Sequence, residues 1–341
     1  MCARPHDEGT AASTSRAASP GRSLCRTLRA CATRTFERLS TDHYERDVPG
    51  EEAYTQFNLQ DLRRGHPNRI VIREFHKAEE SRNGADWEWW FHSGGNGFGM
   101  RVQAKRAKRG GGYDLEHVVR STGARQSELL VEDALIAGCI PAYVLYNHRN
   151  WVPTSATGRP VDCRHGAGTP TQLGCTIVSA LTVQGELRGP RPSPAHVRDR
   201  SMPWHRILCD APGRGQTSLE AAHTAVRDLH VRGRDVLRAA ARDEYYRERN
   251  LARYSGSDAI EGWRAMPDAP VVANGQEPND AEEAVLGLPI YRGLDELAQT
   301  PLSPLPDRVR AMLQGREAEQ TDERVAGAIV VDLGTPRGDR A

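Results

Sequence analysis

Between Glu51 and Arg64 the large apolar residues Tyr54, Phe57, Leu59 and Leu62 recur at roughly helical spacing, and His66-Pro67 closes the segment. That pattern predicts a helix. Arg69–Phe75 is short and β-branched and predicts a strand. Two further short runs, Asp86–Phe91 and Met100–Arg106, flank His92-Ser93-Gly94-Gly95-Asn96-Gly97. Glycine and asparagine supply turn conformations there, so the pair predicts an antiparallel hairpin. Gln126–Ala137 places Leu129, Leu130, Ala134 and Leu135 on one side and meets Gly138 at its end, as a buried helix would; Pro141–Tyr146 is a compact apolar strand. The intervening helix is a crossover long enough for Met100–Arg106 and Pro141–Tyr146 to lie parallel. The order αβββαβ gives an α/β fold with a small mixed sheet flanked by helices.

Farther along, Leu173–Val183 reads as a buried helix, Trp204–Cys209 as a short strand and Ser218–Arg249 as a long, charged amphipathic helix. Ala326–Leu333 is a late strand. Residues 1–45 are rich in Ala, Arg, Ser and Thr with few large apolar groups. The expected organisation is a disordered extension over 1–47, an α/β core over 48–212 and a long helix over 213–250. An acidic Pro/Gly-rich region follows over 251–341, whose strand at 326–333 is a candidate addition to the core.

With 341 residues the chain can bury a substantial core. Its net charge of +1 hides an asymmetry: residues 51–210 hold 21 basic and 17 acidic side chains, residues 211–341 hold 17 and 22. The basic excess includes Arg101, Lys105, Arg106, Lys108 and Arg109, a cluster suited either to a phosphate backbone or to a solvated face. Seven cysteines without paired spacing argue for reduced thiols and a cytoplasmic protein. No apolar run approaches the ~20 residues that span a bilayer, and the N-terminus lacks the apolar stretch of a secretory signal.

The candidate chemistry lies on the hairpin. Alternate strand residues share a face, so Asp86 and Glu88 point one way and Trp87 and Trp89 the other. Gln103 and Lys105 likewise share a face, backed by Val102 and Ala104. A register with Asp86 opposite Lys105 puts Glu88 opposite Gln103, and all four polar groups converge. Carboxylates, an amide oxygen and an ammonium are what a hard divalent cation and a scissile phosphate require. Lysine occurs only at 77, 105 and 108 in a chain whose other cations are arginines, so a mid-strand Lys105 suggests a need for a compact charge. Trp90 shares the acids' face and is the one tryptophan offered as a nucleobase contact; Trp87 and Trp89 fit the core.

Asp86 with Gln103-Ala104-Lys105, in this element order, resembles the PD-(D/E)XK restriction-endonuclease-like superfamily, in particular its Mrr-like branch, where Gln-x-Lys replaces Glu-x-Lys. The wider string resembles more closely an uncharacterised bacterial domain-of-unknown-function family, number 6615. That likeness runs through His66-Pro67, Phe75–Glu80, Gly84–Phe91, Arg101–Arg106 and Pro141–Asn147, and more weakly through Gly174-Cys175 and Pro203-Trp204. The nuclease resemblance implies a restriction-endonuclease-like sheet and a metal-dependent phosphodiester hydrolase using Mg²⁺ or Mn²⁺. It implies metal ligands at Asp86 and Gln103, with Lys105 orienting the attacking water. Glu88 could restore the charge lost at Gln103, and Glu52 could be the helix acid. Arg101, Arg106, Lys108, Arg109 and Trp90 would contact nucleic acid, DNA before RNA, and a homodimer is open.

The alternatives are a catalytically inactive nuclease fold that binds nucleic acid or a protein partner, and plain cross-strand charge pairs worth about 0.2–1 kcal/mol each. Cys163-x-His165 with Cys175 and Cys209 offers zinc ligands, but the spacing lacks a CxxC knuckle and Cys175 suits a helix core. His117 and Asp114 follow the motif without a spacing that requires them at the site. No phosphate-binding GxxxxGK[ST] loop and no nucleophile elbow occur.

Overall fold

A computed structural model describes residues 23–74, 86–120, 122–152, 163–189, 191–209, 217–254, 288–316 and 325–334. The expected turn over Lys77–Asn83, the first 22 residues and most of the acidic stretch after 254 lie outside them.

The chain begins with α1 (Leu24–Glu45) and α2 (Glu51–Gly65), then β1 (Ile70–Glu74), β2 (Trp87–Ser93) and β3 (Asn96–Arg106). Next come α3 (Gln126–Ala137), β4 (Cys139–Tyr146), β5 (Cys175–Ser179), α4 (Ala180–Arg188) and α5 (Pro194–Arg200). A two-residue β6 (Met202–Pro203) precedes α6 (Ser218–Tyr254), α7 (Pro289–Gln299), β7 (Ser303–Pro304), α8 (Asp307–Leu313) and β8 (Gly327–Asp332). The sheet runs β1-β8-β2-β3-β4-β5-β6, with β7 paired to the start of β3. The α/β class therefore holds, and β3 and β4 are parallel as the crossover requires. The sheet is larger than the four strands expected, and β8 separates β1 from β2, antiparallel to the first and parallel to the second.

Helices cover both faces. Trp87, Trp89, Phe91, Met100, Val102 and Ala104 pack with Leu28 and Leu39 of α1 and Tyr54 and Leu59 of α2. On the other face Tyr143 and Leu145 meet Leu130 of α3 and Tyr291 and Leu294 of α7, while Trp90 and Val330 meet Val309 and Met312 of α8. Trp87 and Trp89 thus lie in the core, as alternation predicts.

Four expectations need correction. Residues 24–45, placed in a disordered extension, form α1: Leu24, Leu28 and Leu39 make a helical stripe with the smaller Cys31, Ala32 and Thr35 between them, too sparse in large apolar groups to stand out in the sequence. Ser23 caps it by accepting the Arg26 amide. Cys175–Ser179 is a strand, because its β-branched Thr176, Ile177 and Val178 are buried on both faces; the helix begins only at Ala180, with Ser179 as its cap. Trp204–Leu208 is a 3₁₀ turn, not a strand, and its indole N–H donates to the Leu28 carbonyl on α1. Finally, α6 is no appendage beside the core. A Cβ on Gly233 would meet Ser179, and one on Gly185 would meet the α6 backbone at Leu237, so bare glycines let α4 and α6 cross in close contact.

Among the described residues no helix is long and apolar enough to cross a membrane.

Candidate functional site

Gly94 and Gly95 take positive φ, 61° and 89°, and close a two-residue turn between Ser93 and Asn96. Counting back from that turn fixes the register: Glu88 stands opposite Arg101, and the residue before β2, Asp86, falls beside Gln103. The expected pairing of Asp86 with Lys105 and Glu88 with Gln103 is therefore off by two residues. Ser93, Asn96 and Gly97 of the expected linker belong to the ladder, which leaves only Gly94 and Gly95 as the turn.

Asp86 is held from several sides. Its amide donates to Val102 O at 2.9 Å and its carbonyl accepts the Ala326 amide at 2.9 Å, just before β8. Its Oδ2 accepts the Ala104 amide at 2.8 Å and Gln103 Nε2 at 2.7 Å. Gln103 Oε1 in turn accepts from Gln126 Nε2 at 3.1 Å, at the start of α3. Asp86 is half-buried as a residue, and the protein packed around its carboxyl raises its pKa from 3.8 to about 7. Desolvation dominates; the Ala104 and Gln103 hydrogen bonds and the Lys105 charge oppose it, while the Glu51 charge adds to it.

Lys105 is 6% exposed, and its Nζ lies 3.8 Å from Glu51 Oε1; Arg106 Nε is 3.9 Å from Glu51 Oε2. The α2 acid that stands beside Lys105 is thus Glu51, not the expected Glu52. Glu51 is the first residue of α2, a position the helix dipole favours for a carboxylate, while Glu52 is exposed with its carboxylate turned back over Gly50. Two buried polar atoms nearby have no hydrogen-bond partner: Tyr143 Oη and Gln126 Oε1. Tyr143 pairs with Gln103 in the parallel ladder, and burial, with the Asp86 charge, pushes its phenol up.

Glu88 is on the same face but is held by other partners. Its Oε1 accepts Arg308 Nη2 at 2.7 Å and Nε at 3.2 Å, and also the Trp90 indole N–H; its Oε2 lies 3.3 Å from Arg101 Nη2. Two guanidiniums consume its charge, so it does not replace the charge missing at Gln103. Arg101 is fully buried and Trp90 nearly so, which removes both from any surface that nucleic acid could reach. Arg106 is partly exposed, and Lys108 and Arg109 are exposed. His117 is exposed and Asp114 pairs with Lys108, so neither joins the Asp86 group.

The chain after Lys105 leads into a cleft of about 470 Å³ lined by Ser40, His43, Arg109, His148 and Arg149. Two cations on its rim give it a positive character.

The structure thus brings together Asp86, Gln103 and Lys105 with Glu51, Gln126 and Tyr143. Of the last three, Glu51 was missed because periodicity cannot choose between adjacent acids at a helix start. Tyr143 was in principle legible, since parallel pairing of β3 with β4 puts it beside Gln103. Gln126 carried no signal beyond being polar at the first turn of α3.

Residues 24–332 match a family described only as a family of unknown function, DUF6615. No curated protein and no solved structure matches the chain.

Proposed function

The chain belongs to the DUF6615 family, and from that premise we propose that it is a metal-dependent phosphodiester hydrolase acting on nucleic acid, DNA before RNA. The observation that carries this reading is the gathering of Asp86, Gln103 and Lys105 with Glu51 at one end of the hairpin. The donors suit Mg²⁺ or Mn²⁺: carboxylate oxygens from Asp86 and Glu51, and the amide oxygens of Gln103 and Gln126. The buried, unpartnered Gln126 Oε1 is consistent with a missing partner at this spot. Such a cation, when bound, polarises a phosphoryl oxygen and acidifies water.

The protein's own groups do the rest. Gln126 orients Gln103, and Gln103 with the Ala104 amide fixes the Asp86 carboxylate. Lys105 holds an ammonium where negative charge develops on the phosphoryl oxygens, and it is preorganised there because Glu51 anchors it. Arg106, Lys108 and Arg109 lead the phosphodiester chain toward the cleft at Arg149.

A second reading, binding without cleavage, has its own support. Gln103 is tied on both sides, to Asp86 and Gln126, and a neutral amide holds Mg²⁺ less well than a carboxylate. Labelled DNA and RNA, incubated with the purified chain in Mg²⁺ or Mn²⁺, separate the two. Hydrolysis predicts cleavage that falls roughly 10²–10³-fold in Lys105→Ala and is lost in Asp86→Ala. Retained binding without cleavage supports the second reading, and equal cleavage by all three proteins excludes this site.

A further inference from the structure

The geometry points to a structural zinc site formed by Cys25, Cys163, His165 and Cys209, remote in role from the Asp86 group. One ligand atom from each of the four lies within 4.8 Å of every other. Cys25 Sγ and Cys163 Sγ are 3.8 Å apart, and His165 Nδ1 is 3.2 Å from Cys209 Sγ. Two sulfurs each ~2.3 Å from one tetrahedral ion stand about 3.8 Å apart, so the first separation is that of a zinc edge. It is far beyond the ~2.05 Å of a disulfide, and all four positions needed for a closed structural site are filled by protein.

The four ligands come from three separate stretches. Cys25 sits in the first turn of α1, Cys209 caps the 3₁₀ turn after β6, and Cys163 and His165 lie on a tight turn. In that turn the amides of Cys163 and Gly166 each donate to the other's carbonyl, at 3.2 and 2.9 Å, with Gly166 at φ +119°. The turn spaces the two side chains one residue apart and directs both to the same point, a job that a CxxC knuckle does elsewhere. Cys25 and Cys209 are buried, while Cys163 and His165 are partly exposed, which leaves an entry path for the ion.

Three thiolates and a neutral imidazole around Zn²⁺ carry one net negative charge. Arg29, one helical turn after Cys25, answers it: its Nη1 donates to Cys163 Sγ at 3.5 Å and to the Gly166 carbonyl at 3.4 Å, and its Nε donates to Gln172 Oε1 at 2.9 Å. Outer contacts of this kind hold a metal-binding loop and temper thiolate charge. In sequence Cys175 is the more obvious companion of Cys163 and His165, but it lies on β5 beside Asn58 Nδ2. The ion would tie the start of α1 to the loop and reinforce its contact with the 3₁₀ turn, where Trp204 already donates to the Leu28 carbonyl.

The test uses the full chain expressed in zinc-supplemented medium and purified under reducing conditions. Elemental analysis should give about one zinc per chain, and exchange with Co²⁺ should produce the intense visible and thiolate-to-metal bands of a tetrahedral sulfur-rich site. His165→Ala and Cys163→Ser, on the partly exposed turn, should each lower zinc content roughly fivefold or more with unchanged far-ultraviolet circular dichroism. Cys175→Ser, at a buried cysteine outside the tetrad, should keep the metal. The proposal is overturned by a metal-free wild type without a cobalt spectrum, by full zinc content in a Cys163→Ser/His165→Ala double variant, by a native Cys25–Cys163 disulfide, or by iron with acid-labile sulfide.

Discussion

Asp86 Oδ2 accepts the main-chain amide of Ala104 at 2.8 Å, so the carboxylate is positioned by the backbone of the neighbouring strand as well as by a side chain. Its protonation is therefore tied to the fold. Below about pH 4 both folded and unfolded chains hold the proton; between pH 4 and 7 only the folded chain does, since its pKa is raised from 3.8 to about 7. This group thus stabilises the fold at low pH, and the contribution is lost as pH rises through 7. Asp86→Asn carries no such dependence. The stability of the variant relative to wild type should climb between pH 4 and pH 8 by roughly 1–2 kcal/mol, discounted for partial exposure. Thermal unfolding at both pH values measures it; a difference that is flat or falls with pH contradicts the assignment.

On the proposed metal site, the same titration sets the pH dependence of cation binding. A divalent ion at Asp86 must displace the proton, so Mg²⁺ or Mn²⁺ affinity should rise about tenfold per pH unit below pH 7 and level off above it. Isothermal calorimetry across pH 5.5–8.5 follows this, and Asp86→Asn should abolish the pH dependence along with the binding.

Glu88 is a structural group on this geometry. Glu88→Ala removes the Oε2 contact of the fully buried Arg101 together with the acceptor of Arg308 and Trp90, and should cost about 3–5 kcal/mol. Arg308→Ala should cost less, because Arg308 is partly exposed and Glu88 retains Arg101 and Trp90. Urea unfolding gives both numbers, and the reverse ranking would mean that Arg308 carries the pair.

Helix α1 is a core element. Leu39, fully buried against the sheet, should lose about 2–5 kcal/mol on truncation to Ala. A disordered segment would tolerate the change without a shift in the unfolding midpoint.

The close crossing of α4 and α6 gives a further check. Gly233→Val drives a side chain into Ser179 and the Thr182 amide and should destabilise by about 1–3 kcal/mol. Gly110→Val, where a Cβ meets open space, is the control that should leave the midpoint in place.

Much of the sheet's centre was legible because its signals are local. Alternation separated Trp87 and Trp89 from the acids, Gly138 ended α3 in a left-handed conformation (φ 66°), and the crossover fixed β3 parallel to β4. The register was legible in principle, since Gly94-Gly95 is a two-residue turn signal, but reading Ser93 and Asn96 as loop shifted the count. What sequence alone withheld is long-range. Nothing near Glu88 announces that Arg308, 220 positions later, will neutralise it. Nothing in the apolar pattern near Cys25 marks it as a neighbour of Cys163 and Cys209.

The place of β8 carries a consequence for how the chain is made. Residues 327–332 slot between two segments synthesised roughly 240–260 residues earlier, and Ala326 supplies the amide that fastens Asp86. A nascent polypeptide still short of that stretch leaves β1 and β2 as two unjoined edges, each an open template for a foreign strand. The corner around Asp86 is consequently completed only when this last strand is in place, and a chain released before it should be prone to aggregate.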